Sequence, residues 1–343
     1  MIRMRPLLMV PVLFLAQRVS AQPDLDSLWR IWTDEGRHDT VRLMALHDYA
    51  WDGFLYSDPD SAYRIGQTMF NYAEKRGNER FMGGALNLQA NVLSFNGDLN
   101  GALDLFSRSL RIMQRIGYKK GIGMGYVNVG SILNDQGEYP KALDAYEHGL
   151  AVMEEVGHVP GILAVLGNIG NIYQDFGDLE LAATYHERCY RLADSLGIDQ
   201  YRMTALNNLG NIDLDRRRYD PALAKFSRCM EVADGMSDAV LGSIARNNIG
   251  IILRERGDMI GAFAIMQRAL SMAEAAGYSP GITQSLANIG RTHLMAHEPR
   301  KAIDPCERGW ALADEQGLMW DQRLLCTCLY DAYSAIGDAE HAL

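Results

Sequence analysis

The sequence has few of the residues that staple or stiffen a chain, with 5 cysteines and 10 prolines in 343 residues. An odd cysteine count excludes a fully paired disulfide framework. Scarce proline excludes a collagen-like or low-complexity composition. Basic side chains are also in the minority, 33 against 43 acids, for a formal net charge of −10. A nucleic-acid footprint or an anionic membrane surface needs clustered Lys and Arg, so neither is an expected partner. Beyond the first twenty-one residues no stretch approaches eighteen apolar residues, so no membrane span is expected in this segment. What remains is 48% hydrophobic, 22% charged and rich in glycine, the composition of a globular protein with a large core.

Residues 1–21 read as an address. Arg3 and Arg5 precede an apolar run from Pro6 to Ala16, and small residues follow at Val19-Ser20-Ala21. A positive start, a short apolar middle and a small-residue site describe a secretory signal peptide cleaved after Ala21. The run is too short to anchor in a bilayer, and no cysteine lies near the cut to accept a lipid. A periplasmic or secreted location is therefore expected, by the general export route.

Self-similarity dominates the rest. Alanine recurs at 62, 102, 142, 182, 222, 262, 302 and 342, a constant step of forty. Glycine keeps the same step at Gly130, Gly170, Gly210, Gly250 and Gly290. A third series is Gly97, Gly137, Gly177, Gly257 and Gly337, interrupted by Arg217 and His297. A fourth is Gly77, Gly117, Gly157, Gly197, Gly277 and Gly317, broken at Ser237. Between these ladders apolar residues fall at helical spacing, as in Leu166, Ile169, Tyr173 and then Ala182, Tyr185, Cys189. Each unit is thus two helices, A and B, with a turn at the third glycine series and a helix stop at the fourth. Acids after the turn, such as Asp58, Asp98, Glu138, Asp178, Asp258, Glu298 and Asp338, suit the start of helix B. The Ala ladder and the first Gly ladder read as close-contact points between helices. A pair this small cannot bury its own apolar faces, so the units must stack.

Units such as Leu166-Gly167-Asn168-Ile169-Gly170-Asn171-Ile172-Tyr173, with Gly177-Asp178, Ala182 and Tyr185, resemble tetratricopeptide repeats over residues 39–343. The resemblance implies an all-α, right-handed superhelical solenoid of antiparallel helix pairs, about eight units with the last incomplete. A period of forty exceeds the usual 34 of that motif, as in the long-repeat subgroup of exported bacterial sensors. It implies longer helices and looser B-to-A loops. Residues 22–38 are expected to add a leading helix, with Trp29 and Ile31 against the first pair. Leu343 falls a few residues into an eighth helix B, so the sequence reads as a piece of a longer protein.

Little in the sequence could carry chemistry. No Gly-rich loop precedes Lys-Ser or Lys-Thr, and Gly121, Gly123 and Gly125 lack dinucleotide spacing and fall in an expected B-to-A connection. His293 and His297 are four apart, but two ligands make no metal site. Cys189 and Cys229 share one repeat position and read as small core residues. Cys306, Cys326 and Cys328 cluster, and a disulfide from Cys306 is compatible with an oxidising compartment. The run Arg216-Arg217-Arg218 reads as a solvated turn. No enzyme, cofactor or metal is expected.

The groove carries the functional signal. Asn128, Asn168, Asn208, Asn248 and Asn288 recur two residues before each ladder glycine, with Asn87, Asn207 and Asn247 one residue earlier and Asn91, Asn171 and Asn211 three later. Helical spacing keeps them on neighbouring parts of one A-helix face. A side-chain amide both donates and accepts, so it can grip an extended main chain without reading its sequence. It can equally tie one helix to the next, and the residues leave both readings open. The resemblance implies that peptide-binding relatives use Asn at such positions and clamp a terminal carboxylate with helix-A cations. Here those cations are chiefly Arg254 and Arg291, beside an acidic stripe of Asp135, Asp175, Asp215 and Glu255 that favours basic peptides. The expected function is a non-catalytic, exported scaffold binding a protein or peptide in its concave groove. The alternative is the periplasmic sensor region of a membrane signalling enzyme, a histidine kinase or nucleotide cyclase, with its signalling domain downstream.

Overall fold

Seventeen-residue helices joined by three-residue turns account for the forty-residue period. The computed structural model describes residues 24–341; the signal-peptide reading and Ala342 lie outside the described residues. Among the described residues there are sixteen α-helices and no strand. The chain divides into two compact units, the first ending at Ile172 and the second beginning at Tyr173. The first holds α1 (Leu25–Thr33), α2 (Asp39–Gly53), α3 (Pro59–Lys75), α4 (Glu79–Phe95), α5 (Leu99–Arg115), α6 (Lys119–Asp135), α7 (Tyr139–Glu155) and most of α8 (Val159–Asp175). The second holds α9 (Leu179–Ser195), α10 (Asp199–Asp215), α11 (Tyr219–Met236), α12 (Ala239–Glu255), α13 (Met259–Ala275), α14 (Ser279–Met295), α15 (Pro299–Glu315) and α16 (Met319–Ile336). From α2 onward even-numbered helices are A and odd-numbered helices are B. The B-to-A connections are as short as the A-to-B turns, so the residues beyond a period of 34 lie in the helices and not in looser loops.

Both kinds of turn close in the same way. Asp98 N–H donates to the Leu93 carbonyl at 2.9 Å and Gly97 N–H to that of Ser94 at 3.0 Å. That pattern needs a left-handed residue, and Gly97 (φ 81°) and Gly77 (φ 64°) provide it without steric cost. The three breaks in the glycine ladders, Arg217 (φ 58°), Ser237 (φ 56°) and His297 (φ 60°), take the same conformation. Acids after the A-to-B turn divide by side-chain length. Asp98, Asp178 and Asp258 accept from the N–H three residues on, at 2.9, 3.1 and 2.8 Å. Glu138 and Glu298 make no such cap and instead hold Lys141 and Lys301, at 3.0 and 2.7 Å. One extra methylene carries the carboxylate past the backbone donors.

Ala62, Ala102, Ala142, Ala182, Ala222, Ala262 and Ala302 are fully buried. A Cβ on Gly130 would come within 2.8 Å of the Tyr146 ring, and one on Gly250 within 2.6 Å of Met266. The residue sixteen positions after the ladder glycine thus fills the space its missing side chain leaves. In the second unit α10 touches α12, α12 touches α14 and α14 touches α16, while among the described residues no two B helices meet to a similar extent. Helix A faces therefore form the tighter, inner side of that stack.

Of the two residues expected to fasten the leading helix, Trp29 has an aromatic contact, and Trp32 adds a deeper one. Trp29 packs on Tyr49, but Trp32 is the residue that joins the core of Leu43, Leu46 and Met69, with its ring 5.0 Å from that of Tyr72. Buried Arg42 donates to the Trp32 carbonyl at 2.9 Å and to the Tyr72 hydroxyl at 2.6 Å. Gly121, Gly123 and Gly125 lie inside α6, not in a connection: a Cβ on each would press against Met113, Met153 and Leu110, respectively.

Candidate functional site

In the second unit the A helices spend part of their inner faces on one another, and some of the asparagines serve that contact. In the second unit Asn248 Nδ2 donates to Asn207 Oδ1 at 2.8 Å, linking α12 to α10. Asn247 Nδ2 donates to Ser285 Oγ at 2.7 Å, linking α12 to α14, and Thr283 Oγ1 donates to Asp321 Oδ2 at 2.7 Å, linking α14 to α16. Asn208, Asn248 and Asn288 are buried and Asn211 is half-buried. In the first unit Asn128, Asn168 and Asn171 are half-buried. Asn91 Nδ2 turns back on the Asn87 carbonyl at 2.7 Å. Tyr146 donates to Ser131 Oγ at 3.1 Å; burial pushes its phenol up to about 12, while the amide of Asn168 works in the opposite direction. The donor of Asn248 therefore does not point into open space; it is used between helices. By contrast, no hydrogen bond to the side chains of Asn128, Asn211 or Asn288 is made among the described residues.

The charged candidates separate as well. Arg254 is 3% exposed with its guanidinium 3.4 Å from Glu255, whereas Arg291 lies at the surface. A buried cation beside a carboxylate cannot reach a peptide terminus without breaking that pairing, so Arg291 is the better placed of the two. Asp135, Asp175 and Glu255 are exposed at the ends of their A helices, and Asp215 is half-buried. Partial burial of their carboxyls raises Asp135 and Asp175 from the ordinary aspartate value.

Other residues singled out by sequence have plain roles. Cys306 and Cys328 form a disulfide between α15 and α16, and Cys326 is an exposed thiol. Cys189 and Cys229 are buried, which pushes both thiols up to about 12 and keeps them unreactive. His293 pairs with Glu298 at 3.0 Å and packs on Phe263, while His297 forms the following turn. The arginine run is not merely solvated. Arg216 bonds Glu180 at 2.6 Å, and Arg218 reaches Asp213 at 2.7 Å.

Asp213 and Lys225 carry no motif of their own, and only the forty-residue register marks them. Asp213 occupies the place of Tyr173 and Leu253, and Lys225 that of Tyr185 and Ile265. Tyr173 and Tyr185 stack with centroids 5.6 Å apart; Lys225 and Asp213 form an ion pair at 2.6 Å.

Comparison with known proteins agrees with this architecture. The family model described as "Tetratricopeptide repeat" matches residues 81–155, 121–195, 161–235 and 243–314, more than half of the chain. No curated protein sequence matches. Among solved structures, a Rap protein complexed with competence and sporulation factor is 14% identical, covering 88% of this chain and 84% of its own, with TM-score 0.59. NprR in complex with its cognate peptide NprX is 14% identical over 88% and 86%, TM-score 0.56. A STAND protein with a tetratricopeptide repeat sensor from Pyrococcus horikoshii is 15% identical over 89% of this chain and 47% of its own, TM-score 0.60.

Proposed function

The chain belongs to the tetratricopeptide repeat family, and from that premise we propose that it is a non-catalytic scaffold that binds an extended peptide along A-helix faces. The observation that carries this reading is that the amides of Asn128 on α6 in the first unit, and of Asn211 and Asn288 on the inner helices of the second, make no hydrogen bond among the described residues. Each offers a donor and an acceptor to a main chain. The acids at A-helix ends, Asp135, Asp175, Asp215 and Glu255, favour basic side chains. Two structural neighbours hold peptides by their own descriptions, which supports the mode of binding and not the ligand. The test is capture from an immobilised library of extended peptides. Wild type should retain basic peptides, and Asn128→Ala/Asn211→Ala/Asn288→Ala should lose them; equal capture by both ends the proposal.

Export follows from residues 1–21 and is part of the proposal. Alkaline phosphatase fused after residue 40 should be active outside the bacterial cytoplasm; an inactive, uncleaved fusion would place the scaffold inside. The second reading, a sensor region of a signalling enzyme, is favoured by the Pyrococcus neighbour, whose description gives its repeats that role. It requires a membrane span and a catalytic domain encoded after residue 343.

A further inference from the structure

Between α9, α10 and α11 the second unit opens a cleft of about 420 Å³, lined by side chains of all three helices. Asp213 of α10 lies at its floor, 5% exposed, and each carboxylate oxygen holds a cation: Arg218 on Oδ1 at 2.7 Å and Lys225 on Oδ2 at 2.6 Å. Among the described residues Arg216 at the rim is held by Glu180 alone, whose side chain is 86% exposed.

Three features of this cleft depart from the repeat together. Asp213 and Lys225 replace an apolar or aromatic pair, and Arg218 stands where Asp178 and Asp258 cap the neighbouring B helices. Taking charges out of water is costly, and a packed apolar pair would serve stability as well or better. Local rules broken at one place, in mutually matching ways, mark a site.

The chemistry of the lining states what fits. Asp213 has both oxygens engaged, so the floor offers no free carboxylate to a cation. Arg216, Arg218 and Lys225 each place one nitrogen on an acid, leaving further N–H donors on the same groups. A second recess shares Thr184 and Glu187 with the cleft and adds Arg188 and Arg191. Five basic side chains thus line the two recesses against three acids, Glu180, Glu187 and Asp213, in a chain of net charge −10. Guanidinium forks match phosphate oxygens, and the volume is that of a small-molecule site.

We propose that this cleft binds a small phosphate-bearing molecule, with Arg216 exchanging Glu180 for the phosphate while Asp213 holds Arg218 and Lys225 in position. Glu180 is free to swing into solvent because nothing buries it.

Titration calorimetry with inorganic phosphate and with pyrophosphate, against sodium chloride at matched ionic strength, tests this on the full chain. Pyrophosphate should bind saturably to wild type. Arg216→Gln should weaken it by roughly tenfold or more, the loss of a hydrogen bond between charged partners. Asp213→Leu/Arg218→Asp/Lys225→Ile restores the side chains of the following repeat, so it should stay folded and bind no pyrophosphate. Arg256→Gln breaks a pair with Asp220 outside the cleft and should leave binding unchanged. The proposal is overturned by the absence of saturable binding in wild type, by equal losses in Arg216→Gln and Arg256→Gln, or by full binding in the folded triple variant.

Discussion

The ring of Phe226 covers Gly210 so closely that a Cβ on the glycine would lie 2.6 Å from Cε1. This contact lets helices A and B of one pair approach at the ladder position. Gly210→Ala should therefore destabilise the second unit by about 1–3 kcal/mol through overpacking, less the smaller gain in helix propensity. Gly167, also inside a helix, has nothing within 4 Å of the same added atom. Gly167→Ala should stabilise by up to about 1 kcal/mol. Urea denaturation of the two variants checks the pair, and equal shifts would refute the close-packing account.

His186 gives the fold a weak point toward acid. It occupies the repeat position of Phe106, Tyr146, Phe226 and Met266, is fully buried, and neither ring nitrogen has a hydrogen-bond partner. Burial lowers its pKa from the ordinary 6.5 to about 4. The unfolded chain therefore takes up the proton first, so stability is intact above pH 6.5 and falls as pH drops toward 4. The slope is about 1.4 kcal/mol per pH unit from this group. His186→Phe should flatten that limb of the Tm-against-pH curve between those values, and an unchanged curve would show that other groups govern it.

Arg217 and Ser237 hold left-handed turns that glycine fills elsewhere in the chain. Arg217→Gly and Ser237→Gly should each stabilise by about 0.5–1 kcal/mol by relieving Cβ strain, offset in part by backbone entropy. Thermal denaturation of the two variants measures this directly; a loss of stability would mean that their side chains do more than occupy a turn.

The Cys306–Cys328 bond closes a segment with a sequence separation of 22. In the chain-entropy account a loop of that length contributes about 3 kcal/mol. Dithiothreitol should lower the Tm of the wild type and leave Cys306→Ala/Cys328→Ala unaffected. A reduced wild type that melts with the oxidised one would indicate that the bond contributes nothing.

Repetition is what made the helices legible. A forty-residue phase shared by four ladders fixes helix, turn and cap without reference to any contact, because glycine at a left-handed turn and aspartate at a helix start act locally. The same local logic places the charge of Glu138 and Glu298 at a helix start, and only geometry shows that their carboxylates overshoot the backbone donors. It misplaces the glycines of α6 in a connection, since glycine alone does not tell a turn from a crowded helix face.

What the sequence determined by itself is the all-helical hairpin repeat, its period and its buried Ala and Gly positions, because those follow from periodicity and backbone stereochemistry. Tertiary structure decided which asparagines serve helix against helix and which remain unbonded. It also decided that Arg216, Arg218, Asp213 and Lys225 meet in one cleft. Side chains separated along the chain gain or lose their partners only when neighbouring helices pack, and a hydrogen bond or ion pair depends on that distance.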